Sequence, residues 1–267
     1  MDGIHRAASV NCPLPFCGCT TDADGAHRLE ALATKYPVVY YLHGRGDDEN
    51  YLLLESEGGF CEILYAAMAQ AMVPEVIFVM AHAGRHAGYC DSVSGSVMGE
   101  TCIVNELLPH IESNYRTTGE RALQGWSMGG QGALVLAFKH PTLWSSVVAM
   151  AAGLCTGQEL LEELPQVFDE MHSSVEQYDE NSAWAWVKKN AEMLRTSPAL
   201  QIICGEQDSQ LYRSQRMHEQ LDELRIAHGF QIIEGVGHES AKIYPFSAMV
   251  GMLFHADHFA STAQPKL

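Results

Sequence analysis

The most informative segment of this sequence is Arg121-Ala122-Leu123-Gln124-Gly125-Trp126-Ser127-Met128-Gly129-Gly130. Its first residues are typical of a buried strand, and an apolar helical period begins at Met128. The pattern Gly-x-Ser-x-Gly therefore lies where a strand turns sharply into a helix. Glycines around the serine leave out Cβ atoms that would collide with the neighbouring strand and helix. This placement predicts Ser127 as a nucleophile on a strained turn.

The same glycines have a simpler interpretation. Gly125, Gly129 and Gly130 would let a helix pack closely on a sheet, with Ser127 only as the N-cap of that helix. Only the nucleophile interpretation requires a histidine and a carboxylate later in the chain, because a serine hydroxyl attacks a carbonyl only when these two groups support it.

The rest of the chain alternates short apolar runs, rich in β-branched residues, with longer segments of helical period. The predicted strands are Pro37 to Leu42, Val76 to Ala81, Arg121 to Gln124, Ser146 to Ala151, Ala199 to Cys204 and Phe230 to Glu234. The predicted helices are Gly59 to Met72, Glu100 to Tyr115, Met128 to His140, Ala183 to Leu194, Leu211 to His228 and Ala241 to Phe259. This alternation predicts an α/β fold with a mostly parallel central sheet and helices on both faces.

A single domain over residues 1–267 is the simplest division of the chain, since α/β domains commonly reach this length. Residues 1–36 give no clear element. The stretch 156–182 is longer than a crossover between strands needs, which predicts a small lid or insert over a site.

A carboxylate and a histidine follow two late strands. Asp208 comes after the strand at 199–204, and His238 lies in a glycine-rich loop after the last strand. The order Ser, Asp, His is that of the α/β-hydrolase fold. We therefore predict Ser127 as nucleophile, His238 as general base and Asp208 as the acid that orients the base. Glu206 is the competing acid, and a helix N-cap is the competing role for Asp208.

Acyl transfer also needs amide donors that face the developing oxyanion. The amide of Met128 is the first candidate, because it directly follows the nucleophile. The second is expected in the loop Leu42-His43-Gly44-Arg45-Gly46, where we favour the Arg45 amide and then that of Gly44. His43 has two interpretations, a catalytic base or a side chain that packs beneath this loop and fixes it.

Several motifs together resemble the esterase D and feruloyl esterase family, which includes carbohydrate esterases, S-formylglutathione hydrolases and mycolyltransferases. They are Leu42-His43-Gly44-x-Gly46, Gly88-Tyr89-Cys90-Asp91-Ser92, Glu106 to Thr117, Ser127-Met128-Gly129-Gly130, Cys204 to Asp208 and Gly235-x-Gly237-His238. The resemblance implies a serine carboxylic-ester hydrolase that works through an acyl-enzyme without a cofactor. It also implies that Asp91 lies near the site. The short N-terminus departs from the family, which usually has further edge strands there.

The substrate follows less directly from the residues. Trp126 beside the nucleophile, Trp184 near the predicted lid, and Asp91 are the candidate substrate-binding residues, and the tryptophans would suit a feruloyl or other aromatic acyl group as well as ordinary packing. S-formylglutathione hydrolysis and acyl transfer are alternatives within the same family. A non-catalytic α/β-hydrolase-like binding protein is the alternative from another class.

Composition limits the partners. The formal net charge is −17, with 33 acidic and 16 basic residues, which argues against nucleic acid and anionic membranes as partners. We expect a small-molecule ester substrate, no metal and a cytoplasmic location, whereas the oligomeric state stays open.

The chain has eight cysteines. Most are spread through apolar runs, where a reduced thiol serves as a small core residue. Cys12, Cys17 and Cys19 cluster, but their spacing matches no common zinc motif. A local disulfide or free thiols are the favoured interpretations.

Overall fold

A seven-stranded sheet forms the centre of the computed structural model, which describes residues 8–11, 34–53, 59–86, 88–172 and 174–259. The strands are β1 Ala8–Asn11, β2 Tyr36–Leu42, β3 Ile77–Ala81, β4 Thr117–Trp126, β5 Ser146–Met150, β6 Ala199–Gly205 and β7 His228–Ile233. Their order across the sheet is β1-β3-β2-β4-β5-β6-β7. Strand β1 pairs antiparallel with β3, and the other neighbours are parallel.

Helices cover both faces of this sheet. They are α1 Phe60–Ala69, α2 Gly99–Thr101, α3 Leu108–Asn114, α4 Met128–Lys139, α5 Gly157–Glu163, α6 Pro165–Met171, α7 Val175–Asn181, α8 Ala183–Lys189, α9 Ala191–Leu194, α10 Leu211–Glu223 and α11 Ser240–His258. A π-helical segment, Cys102–Leu107, joins α2 to α3, and short 3₁₀ turns lie at Tyr51–Leu53 and Pro141–Leu143.

Side chains at alternate positions along the strands pack into two separate hydrophobic clusters. Tyr40 and Leu123 point to the cluster formed with α3, α4, α8 and α10, whereas Tyr41 and Ala122 point to the cluster formed with α1 and α11. Strands β2, β3 and β5 are buried along their whole length, because helices exclude water from both of their faces. The predicted layered α/β architecture is confirmed.

Several predicted boundaries differ in the structure, and two helices show why. The helix predicted to reach His228 ends at Glu223, because Arg225 takes a positive φ of 57° and His228 pairs with Leu200 as the first residue of β7. The helix predicted over 183–194 divides at Asn190, whose side-chain amide donates to the Phe138 carbonyl.

The N-terminal region contributes an edge strand that the sequence did not predict. Strand β1 pairs its four residues with β3 in the register Ala8 to Ala81. The cysteine cluster Cys12, Cys17 and Cys19 lies outside the described residues. Among the described helices, none combines the length and the apolar character needed to cross a bilayer.

Candidate active site

Ser127 lies on the turn between β4 and α4, at φ 56° and ψ −115°. A Cβ on Gly125 would lie 2.2 Å from the Gly129 carbonyl oxygen, and one on Gly129 would lie 1.9 Å from that of Leu42. Only glycine allows these approaches, so the two residues permit the strained turn that presents the serine. The Ser127 hydroxyl makes no capping hydrogen bond to α4, which argues against the N-cap interpretation.

The structure brings Ser127, His238 and Asp208 together. The serine Oγ lies 3.0 Å from Nε2 of His238, and Nδ1 of His238 lies 2.9 Å from both carboxylate oxygens of Asp208. The Asp208 carboxylate is fully buried, whereas the His238 side chain keeps 30% of its surface exposed. A buried carboxylate holds the imidazole in the tautomer whose Nε2 can accept the serine proton.

The two loops after β6 and β7 support each other. Asp208 also accepts a hydrogen bond of 2.7 Å from the Gln210 amide, so it holds its own loop as well as the histidine. Glu206, the rival acid, accepts instead from the Gly235 amide at 3.0 Å. Glu206 therefore holds the loop that contains His238, whereas Asp208 makes the contact with the imidazole.

Trp126 packs against His238. Its indole ring stacks on the His238 imidazole at a centroid distance of 4.8 Å and an angle of 24°, and meets Tyr244 edge to face. Only 9% of Trp126 is exposed, and a Cβ on Gly44 would lie 2.6 Å from its ring. The indole is thus enclosed between the histidine and the loop after β2, where it fixes the orientation of His238.

The loop after β2 rests on a pair of histidines. His43 Nδ1 donates to the Gly44 carbonyl at 2.8 Å, and its Nε2 lies 2.8 Å from Nδ1 of His82. Burial lowers the pKa of His43 to about 4, so the ring stays neutral. Because a peptide N–H points opposite to its carbonyl, this bond also fixes the direction of the Arg45 amide. His43 therefore lies beneath the loop and does not contact Ser127; His82 is a partner that the sequence analysis missed.

The predicted insert forms three short helices, α5 to α7, with a small core of their own around Leu160, Phe168 and Tyr178. Gln131, one turn into α4 from the nucleophile, donates to the Tyr178 hydroxyl at 3.1 Å. Arg213, at the start of α10, pairs with Glu163 of α5. The insert is therefore fastened beside Ser127 at two points. Neither residue stood out in the sequence, because both partners come from distant segments.

Asp91 and Trp184 lie away from the triad contacts. Asp91 accepts hydrogen bonds from the backbone amide and hydroxyl of Thr101, and it lines a cavity of about 240 Å³ with Gln131 and Tyr178 beneath the insert. Trp184 donates to the Leu154 carbonyl and lines a different cavity, shared with α10.

Comparison with known proteins completes the description of the site. The model of the Esterase family matches residues 30–242, which takes in Ser127, Asp208 and His238. The chain belongs to the Esterase family. This membership confirms the predicted resemblance to esterase D and feruloyl esterases.

Two relatives that match part of this Esterase family member are named as esterases. Over 112 residues it is 34% identical to Esterase Rv1288 of Mycobacterium tuberculosis, a match that covers 39% of the chain and 23% of that relative. Over 131 residues it is 25% identical to an endo-1,4-beta-xylanase/feruloyl esterase of Xylanibacter ruminicola, covering 47% of the chain and 18% of that protein. The chain thus matches only a minor part of these longer relatives.

Solved structures confirm the α/β-hydrolase fold of the Esterase family member. A ferulic acid esterase superposes with a TM-score of 0.73 and 25% identity, covering 88% of this chain and 90% of that one. An S-formylglutathione hydrolase from Agrobacterium tumefaciens superposes with a TM-score of 0.71 and 18% identity, covering 86% and 87% of the two chains.

Proposed function

We infer that the chain is a serine carboxylic-ester hydrolase that works through an acyl-enzyme on Ser127. The observation that carries this inference is the continuous contact from the Ser127 hydroxyl through the His238 imidazole to the buried Asp208 carboxylate. Such a chain of contacts serves one chemical purpose, the removal of a proton from the hydroxyl as it attacks a carbonyl carbon. Family membership and fold support the same reaction.

The reaction has two halves. In the first, His238 takes the proton of Ser127 while Oγ bonds to the ester carbon, and the resulting imidazolium then protonates the leaving alcohol as its bond to carbon breaks. In the second, His238 takes a proton from a water molecule as its oxygen bonds to the acyl carbon, and then returns that proton to Oγ as the Oγ–carbon bond breaks, which releases the carboxylic acid and restores the serine. Asp208 stabilises the imidazolium in both halves.

Two amides are assigned to the oxyanion. Met128 follows Ser127 at the first turn of α4, where the amide has no partner within the helix and the helix dipole favours negative charge. The Arg45 amide belongs to the peptide whose carbonyl His43 holds. Loss of either donor is expected to cost about 2.7 to 4 kcal/mol of transition-state stabilisation.

Esters of aromatic acids are the favoured substrates. The feruloyl esterases among the relatives and solved structures support this choice. The cavity beside Asp91 and Gln131 has polar groups along its wall, and about 240 Å³ is close to the lower end of the range for small-molecule sites. We assign this cavity to the acyl group because Gln131, one of its lining residues, lies in the first turn of the helix that follows Ser127.

A panel of esters tests the proposal. Methyl ferulate, p-nitrophenyl acetate, p-nitrophenyl butyrate and S-formylglutathione are offered to the wild type and to Ser127→Ala. We expect kcat/KM to be highest for methyl ferulate and activity to disappear in the variant. A preference for S-formylglutathione would replace the substrate assignment and keep the mechanism. Full activity of Ser127→Ala would overturn the mechanism.

Transfer of the acyl group to a second alcohol differs only in the nucleophile of the second half. Adding a sugar alcohol to the same assay and measuring the new ester by mass spectrometry separates hydrolysis from transfer. Hydrolysis predicts free acid as the product at every alcohol concentration. Ester formation that rises with the alcohol would identify an acyltransferase.

A further inference from the structure

We propose that His218, Asp222 and His228 bind a divalent transition-metal ion at a site separate from the triad. One ligand atom of each residue lies within 4.8 Å of those of the other two. His218 and Asp222 are four residues apart on α10 and so share one helix face, and His228 opens the neighbouring strand β7. All three side chains reach solvent, so an ion can enter directly.

The hydrogen bonds of the two histidines prepare them as ligands. His228 Nδ1 donates to the Ile226 carbonyl at 2.8 Å, which leaves its Nε2 as an acceptor. That Nε2 lies 2.7 Å from Nδ1 of His218, while Nε2 of His218 is 3.7 Å from the Asp222 carboxylate. Metal-binding histidines typically direct their far nitrogen at a carbonyl or carboxylate, as His228 does toward Ile226. The near nitrogens then point at a common position.

One proton occupies that position in the metal-free protein. Since His228 keeps its Nδ1 proton on Ile226, the hydrogen between the two rings belongs to His218 Nδ1. When a metal binds, this proton moves to Nε2 of His218, so the neutral ring keeps one proton while Nδ1 becomes free to bind the ion.

The site is held in place before a metal arrives. The His218 ring stacks on Phe230 at a centroid distance of 4.6 Å and an angle of 9°, which restricts its rotation. The chain carries a net charge of −17, and this charge raises the local concentration of cations. The stacking lowers the free energy needed to assemble the ligands, and the negative charge favours binding of the cation.

The donor set selects the metal. Imidazole and carboxylate donors suit Zn²⁺, Ni²⁺ and Cu²⁺ better than Mg²⁺ or Ca²⁺, which prefer oxygen ligands alone. Zinc–nitrogen bonds of about 2.0 to 2.1 Å separate two tetrahedral ligands by roughly 3.3 Å. The two nitrogens, 2.7 Å apart, need to move by only a few tenths of an ångström to admit the ion. Water would complete the coordination.

A metal here would join two elements that lie next to Asp208 and His238 in the sequence. Helix α10 begins three residues after Asp208, and β7 leads into the loop of His238. The ion lies at the opposite ends of these elements, so its effect is on stability rather than on the reaction. The site stands independently of the proposed esterase function.

Zinc titration of chelator-treated protein by calorimetry tests the proposal. We expect one equivalent to bind to the wild type, Asp222→Asn to weaken binding about 10- to 100-fold, and His218→Gln or His228→Gln to abolish it. His258→Gln is the matched control, because His258 is exposed and lines the same cavity as His228. Saturating zinc should raise the Tm of the wild type by about 5 °C or more and leave that of His228→Gln unchanged.

A spectroscopic measurement covers the case in which a variant fails to fold. The electron paramagnetic resonance spectrum of the wild type with one equivalent of Cu²⁺ should show two equatorial imidazole nitrogens. Absence of saturable zinc binding, zinc binding retained in His228→Gln, or a copper spectrum without imidazole nitrogens would each overturn the proposal. Esterase activity enters none of these readouts, so the two proposals fail separately.

Discussion

At the level of single residues, the two acidic side chains in the loop after β6 have different roles. Asp208 is buried against the imidazole, whereas Glu206 holds the backbone of Gly235 from an exposed position. Sequence order alone left both residues as candidate acids. The distances to His238 Nδ1 favour Asp208, because only a carboxylate in contact with that nitrogen fixes the tautomer.

Asp208→Asn should lower kcat by about 10⁴-fold with little change in KM, since the amide stabilises the wrong tautomer and offers no charge to the imidazolium. Glu206→Gln is the matched control and should stay within a few-fold of the wild type. Steady-state kinetics on p-nitrophenyl butyrate measures both. A larger loss in Glu206→Gln than in Asp208→Asn would exchange the two assignments.

The packing of Trp126 on His238 gives a second prediction at this scale. Gly44→Ala places a methyl group 2.6 Å from the indole and 2.9 Å from the Asp47 carboxylate, so either the ring or the loop must shift. We expect kcat to fall by about 10- to 100-fold, as for a small displacement of catalytic groups. Gly153→Ala is the control, because its methyl group would find neighbours no closer than 3.6 Å. Equal activity of both variants would contradict the role given to Trp126.

At the scale of elements, the insert α5 to α7 is fastened to the body by polar contacts. Arg213 is almost fully buried, pairs with Glu163 and lies 3.9 Å from Glu159. Short helices with a core of four buried side chains depend on such contacts to stay in place. We expect this insert to open for substrate entry when the ion pairs separate.

Arg213→Met should release the insert, because it leaves two carboxylates beside an apolar side chain. Limited proteolysis within 157–181 is expected to accelerate about tenfold, equivalent to roughly 1.4 kcal/mol of local stability. Arg195→Met removes an exposed pair with Glu192 and should leave the cleavage rate unchanged. An unchanged rate in Arg213→Met would show that the ion pairs do not hold the insert.

Elements of strong periodicity were predictable from sequence, and contacts between distant segments were not. Every predicted strand from β2 to β7 is present, because buried strands need continuous apolar runs. Ser127, Asp208 and His238 could be proposed as a triad from the sequence because each follows a strand at the same sheet edge. His82 and Arg213 were missed, since nothing local marks a residue whose partner lies 39 or 50 positions away.

At the scale of the whole molecule, buried neutral histidines link stability to pH. Burial lowers the pKa of His43 to about 4 and that of His255 to about 3. The unfolded chain takes up protons near the ordinary value of 6.5, whereas the folded chain does not. Stability is therefore lost as the pH falls below 6.5 and continues to fall until each folded pKa is reached.

Chemical denaturation between pH 7 and pH 4 should show this loss, at up to about 1.4 kcal/mol per pH unit for each histidine. His255→Gln should flatten the slope, because an amide does not titrate and offers hydrogen bonds to Ser146 and Gln124. His86→Gln, at an exposed position, should retain the full slope. A slope unaffected by His255→Gln would assign the pH dependence to other groups.

The proposed mechanism requires Ser127 to be a nucleophile activated by His238. Labelling with a p-nitrophenyl phosphonate, followed by intact mass and peptide mapping of the adduct, tests this requirement. We expect one adduct per chain, located on Ser127, that forms at least about 10³-fold more slowly in His238→Ala. An adduct on another residue, or labelling of Ser127 at an unchanged rate in His238→Ala, would contradict it.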